Sequence, residues 1–252
     1  MKINVLCNND EQLYAALSNE YVNEIIIEAD SIDRSAASAC RDNGKKAAAA
    51  LPYIFRDLTY IDVSDFDEVY VRSLDELAYY KDKVNSLVSD YGLYAMNSRA
   101  AEFLAEEGIK RITAPIELNE YELRELNCRD KELIVYGFLP MMVSAQCIHK
   151  NLQGCDKKPG FMKIKDRTGK NLIVENKCTY CYNLIYNPNP LSLFGVWNKV
   201  KKLDPDTVRI NLTHENGETA AEIINNCVRA IEGKPADDPD DFTRGHFTRG
   251  VE

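Results

Sequence analysis

Four cysteines, Cys147, Cys155, Cys178 and Cys181, fall in the pattern C-x7-C-x22-C-x2-C across "SAQCIHKNLQGCDKK" and "CTYCYNLIYNPNPLSL". A C-x2-C pair can aim two sulfurs at one centre because a tight turn brings them together. A hairpin between Cys155 and Cys178 can then return the chain to its starting point. Four thiolates satisfy either tetrahedral zinc or one cubane iron–sulfur cluster. Zinc would be a structural plug, worth ~10 kcal/mol to a metal-dependent fold. A cluster would add redox chemistry. The spacings x7 and x22 match no standard zinc ribbon or ferredoxin run, so spacing leaves both open.

The remaining chemistry-bearing residues are few. Of three histidines, His149 lies two residues after a candidate ligand and suits a positioning or solvated role. His214 and Glu215, in "NLTHE", follow a strand and are weak candidates for an acid–base pair, with helix capping as the competing role. There is no H-E-x-x-H motif, no G-x-S-x-G elbow and no glycine-rich nucleotide loop. Cys40, Cys128 and Cys227 sit in or beside helical stretches and read as core or surface thiols; Cys7, ending a strand, is a weaker candidate for a mouth-facing thiol. Between the second and third cysteines of the set, "DKKPGFMKIKDRTGK" carries six basic residues and reads as a hairpin turning at Thr168-Gly169. It is either a solvated hairpin or a phosphate-facing patch.

These residues need elements to position them, and the chain alternates short β-rich runs with amphipathic stretches throughout. "INVLC" precedes "NDEQLYAALSN"; "EIIIEA" precedes "SIDRSAASACRDNGK", with Ser31 as N-cap and Gly44 as stop. "KAAAALPYI" is a strand by its place in the alternation, against alanine's helical preference. "EVYVRS", "SLVSDYGLYA", "RITAPIE", "ELIVYGF" and "TVRINLTHE" complete eight strands, most of them followed by a helix. The seventh helical position is taken by the cysteine-containing insert, residues 140–195. Repeated strand–helix units imply parallel strands with right-handed crossovers. Eight units in 252 residues predict an α/β fold, a (β/α)8 TIM-type barrel forming a single domain over 1–252, with an open doubly wound sheet as the alternative. The insert then lies at the C-terminal face, where barrel active sites sit. The tail, 235–252, is polar and then basic, and repeats "FTRG"; it is either a frayed terminus or a cover for the barrel mouth.

Composition sets outer limits. Apolar residues at 45% and charged residues at 28% are ordinary for a globular domain. No apolar run is long enough for a membrane span and the start shows no signal core, so a cytoplasmic protein is expected. In that compartment eight cysteines favour thiols and metal ligation over disulfides. The net charge of −9 argues against a globally basic nucleic-acid surface, though not against a local one.

Several motifs in order, "SDYGLYAMNSRAAEFLAEEGIKRITAPIELNEYEL", "YGFLPMMVSAQC", "CYNLIYNPNPLSL", "VRINLTHE" and "FTRGHFTRGV", resemble the collagenase-like U32 peptidase family from about Leu87 to the end. The first third lacks the family's "PELLAPAG"-like opening, so the chain looks like the carboxy-terminal barrel of a longer member, with a further domain or partner subunit of the same family as a possible companion. The resemblance implies a TIM-type barrel and, by the family's name, a peptidase. By its other branches it implies oxygen-independent hydroxylation of RNA bases or of a quinone precursor, with a 4Fe-4S cluster and prephenate as oxygen donor. Carried over, Cys147, Cys155, Cys178 and Cys181 become the cluster ligands, with structural zinc as the alternative. RNA would meet the Lys157–Lys170 hairpin, and Arg167, His246 and Arg249 are candidate anion ligands. A third possibility is a non-catalytic, metal-stabilised module that binds RNA or a partner.

Overall fold

A computed structural model describes residues 1–29, 35–54 and 61–250. Seven parallel strands come first: β1 (Lys2–Cys7), β2 (Val22–Glu28), β3 (Lys46–Ala50), β4 (Glu68–Val71), β5 (Leu87–Ser89), β6 (Ile109–Thr113) and β7 (Lys131–Gly137). The helices between them are α1 (Asp10–Ser18), α2 (Ser35–Asp42), α3 (Leu74–Tyr80), α4 (Ser98–Glu106) and α5 (Glu120–Glu125). The insert adds β8 (Pro140–Ser144), α6 (Ile148–Gln153), β9 (Gly160–Lys165), β10 (Asn171–Lys177), β11 (Tyr182–Tyr186) and the two-residue β12 (Leu191–Ser192). Then come α7 (Trp197–Lys202), β13 (Thr207–Asn211) and α8 (Gly217–Ile231).

Strand β13 pairs in parallel with both β1 and β7, and β6 pairs with β7, so the eight parallel strands close into a (β/α)8 barrel rather than an open sheet. Local signals place the helices. Asn9, Asn97 and Asn216 cap α1, α4 and α8, and Ser73–Glu76 forms a capping box at α3. Gly44 and Gly108, both with positive φ, follow α2 and α4. The expected Ser31 cap lies outside the described residues. No described helix is long and apolar enough to cross a membrane.

One expectation is corrected, and the minor candidate at Cys7 is set aside. The insert does not replace the seventh helix: the short α7 follows it before β13. Cys7 does not face the mouth. It is buried with Cys40 among the aliphatic side chains between sheet and helices, because odd-numbered positions of β1 point outward.

The opposite faces, even-numbered on β1 to β4 and odd-numbered on β6 and β13, point inward, and there the barrel is charged. Tyr70 Oη lies 2.9 Å from carboxylate oxygens of both Glu24 and Glu132. Arg111 pairs with Glu24 at 2.8 Å and also with Glu68; Arg209 pairs with Asp90 at 2.9 Å. The inward alanines Ala48 and Ala50 pack with Tyr70, Leu6, Ile26 and Val88. This accounts for an alanine strand: a small side chain on β3 leaves the interior to the tyrosine and the two arginines. Strand β5 ends at Ser89, earlier than its sequence run suggests, and the Asp90 carboxylate that follows turns inward to Arg72 and Arg209.

The insert forms a separate antiparallel sheet ordered β8-β11-β10-β9. The tail packs on the barrel's flank. Thr243 bridges to Leu191, Arg244 pairs with Asp238 at 2.6 Å, and Phe247 is buried in a slot with Leu118, Leu123 and Leu133. The two "FTRG" copies thus do different work, one ionic and one apolar.

Candidate metal centre at the barrel mouth

The four cysteines come from two short elements. Cys147 precedes α6, and its Sγ accepts from the Lys150 amide at 3.4 Å; Cys155 follows Gly154, whose φ of +88° lets the chain leave the helix sharply. Cys178 and Cys181 bracket the turn joining β10 to β11, with Cys181 held at φ +55°. A non-glycine residue there is strained, which is common at functional turns. All four line one cavity of about 350 Å³, with Lys150, Lys157 and Lys177 also in its wall. The Cys178 thiol is pushed up first by burial and then by Cys147, Asp156, Cys155 and Cys181, so each of the other three lies within electrostatic reach. No group of three or more His, Cys, Asp or Glu among the described residues closes on a single-ion site. His149 does not line the cavity; its ring faces Asp156 at 3.7 Å.

One wall of this cavity is tied to the barrel through Lys177. Lys177 is buried, with Nζ 2.9 Å from Glu175 and 3.2 Å from Asn8 Oδ1. Glu175 accepts from Asn8 Nδ2 at 2.7 Å and from Tyr186 Oη at 2.6 Å. Asn8 follows β1, so this chain of bonds sews the insert sheet onto the barrel's C-terminal end. Beneath it a second cavity of only about 20 Å³, enough for one water, is lined by Asn8, Glu28, Tyr53, Phe138, Tyr186 and Asn211 among others.

The floor of the mouth is an arginine held on all sides. Arg72 makes a bidentate pair with Glu28 at 2.9 and 2.8 Å, donates Nε to Asp90 at 2.8 Å, and lies 4.0 Å beneath the Tyr53 ring. Burial alone would raise the Asp90 carboxyl, but Arg209 and Arg72 outweigh it and hold it below its ordinary value. A larger cleft of about 540 Å³ lies elsewhere, between α8 and residues 237–239, and contains none of this chemistry.

His214 and Glu215 are neighbours with different surroundings. His214 is exposed at the rim, 4.6 Å from the Phe138 ring and 6.0 Å from Phe161. Partial desolvation lowers its pKa; Glu215 opposes this and Lys163 adds to it. The Glu215 carboxylate is buried and takes Tyr136 Oη at 3.1 Å and the Thr213 amide at 2.6 Å, bonds that serve the β13 end rather than the histidine. Arg167 is exposed in a turn organised by Asp166. His246 and Arg249 lie in the terminal turn, where His246 Nδ1 is 2.9 Å from the Gly250 carbonyl oxygen. Arg167 therefore stands on a different element from the other two.

Sequence reading did not single out Asn8, Glu28, Arg72, Asp90, Glu175 or Lys177. A signal existed. Asn8, Arg72 and Asp90 each immediately follow a barrel strand, and Glu28 ends one, the positions where barrels place their working side chains.

One solved structure agrees with this architecture. The solved U32 peptidase Mk0906 superposes with a TM-score of 0.50 at 12% identity, covering 86% of this chain and 94% of that one. A thiamine phosphate pyrophosphorylase from Pyrococcus furiosus gives a TM-score of 0.49 at 9% identity, covering 92% and 96%. At 12% identity the likeness to the solved U32 peptidase is one of fold. No curated protein sequence matches the chain. The family model of "Peptidase family U32" matches residues 45–218, which starts upstream of the motifs at Leu87 and takes in the whole cysteine insert. The chain belongs to peptidase family U32.

Proposed function

We propose that this protein is an iron–sulfur-dependent enzyme of the RNA-base hydroxylation type, with Cys147, Cys155, Cys178 and Cys181 holding a 4Fe-4S cluster beside the barrel mouth. The observation that carries the reading is that these four thiols, and no other cysteines, line one cavity of about 350 Å³. The donor set fits the group: four sulfurs suit an iron–sulfur cluster or zinc, and the family resemblance favours the cluster. Three lysines in the same wall complement the negative charge of four thiolates. The cluster would supply electron transfer. The protein's part is to hold it beside the mouth: Lys177 and Glu175 fix the wall between the two cavities, and Tyr186 and Asn8 close it from the barrel side.

Arg72 shows how the mouth seats a carboxylate, since Glu28 occupies its fork in bidentate fashion. A dicarboxylate oxygen donor such as prephenate would need cationic partners of the same kind at the mouth. The basic insert supports an anionic second substrate, with the Lys157–Lys170 hairpin as the side that meets RNA. The peptidase reading rests on the family name alone, as none of the three histidines is hydrogen-bonded to a serine, threonine or cysteine among the described residues.

Anaerobically purified protein is expected to be brown and to contain iron and acid-labile sulfide at about four of each per chain. Serine at any one of the four cysteines should lower both, while Cys128→Ser should not. Stoichiometric zinc without sulfide would overturn the cluster. Nucleoside mass spectrometry of RNA from cells with and without the gene tests the substrate; identical hydroxylation profiles would overturn that part.

A further inference from the structure

Three aromatic rings descend from the insert's edge to the barrel mouth. Phe161 lies on β9, the edge strand, and keeps 45% of its surface exposed. Its register partner is Glu175, whose side chain reaches Asn8, so Phe161 stands on the mouth side of the sheet. The exposed His214 ring is 6.0 Å away at 53°, and Phe138 is 4.6 Å beyond it at 59°. Phe138 lines the mouth cavity. Rings that served only the core would be covered, and the two outer ones are not.

Charge singles out the same edge. Lys163 and Lys165 alternate with Ile164 and share the Phe161 face of β9. Residues 147–181 hold eight basic and three acidic side chains, whereas the rest of the chain holds twenty-three basic and thirty-seven acidic. Lysines on an edge strand also deter strand-to-strand aggregation. That role does not explain an exposed phenylalanine beside an exposed histidine. Open aromatic faces beside lysines, on an otherwise acidic molecule, are the chemistry that binds unpaired bases and their phosphates.

We propose that Phe161, His214 and Phe138 form a stacking stair for the unpaired bases of single-stranded RNA, leading toward the mouth, with Lys163 and Lys165 on the phosphates. The proposal rests on the RNA reading above and adds the form of RNA taken and the residues that take it.

Fluorescence anisotropy with a labelled single-stranded 12-mer RNA, alone and annealed to its complement, tests it on the intact protein. Phe161→Ala and His214→Ala should each weaken single-strand binding about tenfold, from a stacking contribution near the low end of its range. Phe161→Trp should restore it. Lys163→Ala with Lys165→Ala should reduce the salt slope, which Phe161→Ala leaves unchanged. Circular dichroism checks that the variants are folded, and both phenylalanine variants should keep the wild-type iron content. Duplex bound as tightly as single strand, or Phe161→Ala binding like wild type, overturns the stair. Tighter association with phosphatidylserine vesicles than with RNA does so too. An iron-loaded protein that ignores RNA removes the stair and leaves the cluster; a protein that binds RNA without iron does the reverse.

Discussion

Asp90 has the most to hold at the scale of single residues. It is fully buried and accepts from Arg72 Nε, Arg209 Nη1 and the Tyr91 amide, so one carboxylate offsets two buried guanidinium ions. Removing one partner of a buried pair leaves an uncompensated charge, which costs about 3–5 kcal/mol. Asp90→Asn keeps the shape and removes the charge. Glu28 still holds Arg72, and Glu132 stands 3.6 Å from Arg209, so the lower end of that range applies. Thermal unfolding should fall by roughly 6–12 °C, using about 2–4 °C per kcal/mol for a chain of this size. Tyr53→Phe, which loses one hydroxyl contact to Tyr91, should lose far less. Equal midpoints for Asp90→Asn and wild type would remove Asp90 from this role.

Elements divide into those the sequence reveals and those it hides. The eight barrel strands are legible because each alternates an aliphatic face with another, and "KAAAA" follows from its place in the series. What alternation cannot tell is which face points in. Glu24, Arg111, Glu132 and Arg209 look like a solvated face in "EIIIE", "IKRIT", "KELIV" and "TVRIN", yet they fill the barrel, paired with one another. The cysteines were legible as a set, but their shared cavity depends on the β10–β11 turn and α6 meeting in space. Helix α7 was hidden because it is six residues long and starts directly after a single 3-10 turn. Gly137 shows how tightly neighbouring barrel strands meet at the mouth. It ends β7 with φ +151°, and a Cβ there would lie 2.6 Å from Asn211 Cβ and 2.7 Å from its carbonyl oxygen. Those atoms belong to β13, the neighbouring barrel strand, and its backbone cannot step aside. Gly137→Ala should therefore yield insoluble protein or a denaturant midpoint well below wild type. Gly169→Ala, with open space around it and only its φ of +84° at stake, should cost about 1 kcal/mol.

Across the whole molecule, buried carboxyls contribute to pH dependence in both directions: Asp90 and Glu68, held low by arginines, lose their contribution as pH falls, whereas two others lose theirs as it rises. Burial pushes Glu24 up to about 7 against the pull of Arg111, and Glu76 up to about 7 against the Arg72 and Ser73 amides and the Arg72 charge. Both titrate near 4.5 when unfolded. Between those values the folded chain binds more protons than the unfolded one, so each contribution is complete below pH 4.5 and is lost as pH rises through 7. Glu76 allows the clean test, because its Oε2 accepts from the Arg72 and Ser73 amides while Oε1 has no partner. Glu76→Gln keeps an accepting oxygen and removes the titration. Urea unfolding of wild type and variant at pH 5 and pH 8 should show the variant gaining on wild type by about 3 kcal/mol between the two, an order-of-magnitude figure from the size of the shift. Residual pH dependence in the variant belongs partly to Glu24. A gap between the two proteins that stays constant from pH 5 to pH 8 would mean Glu76 is ionised throughout, and the charge balance around Arg72 would have to be redrawn.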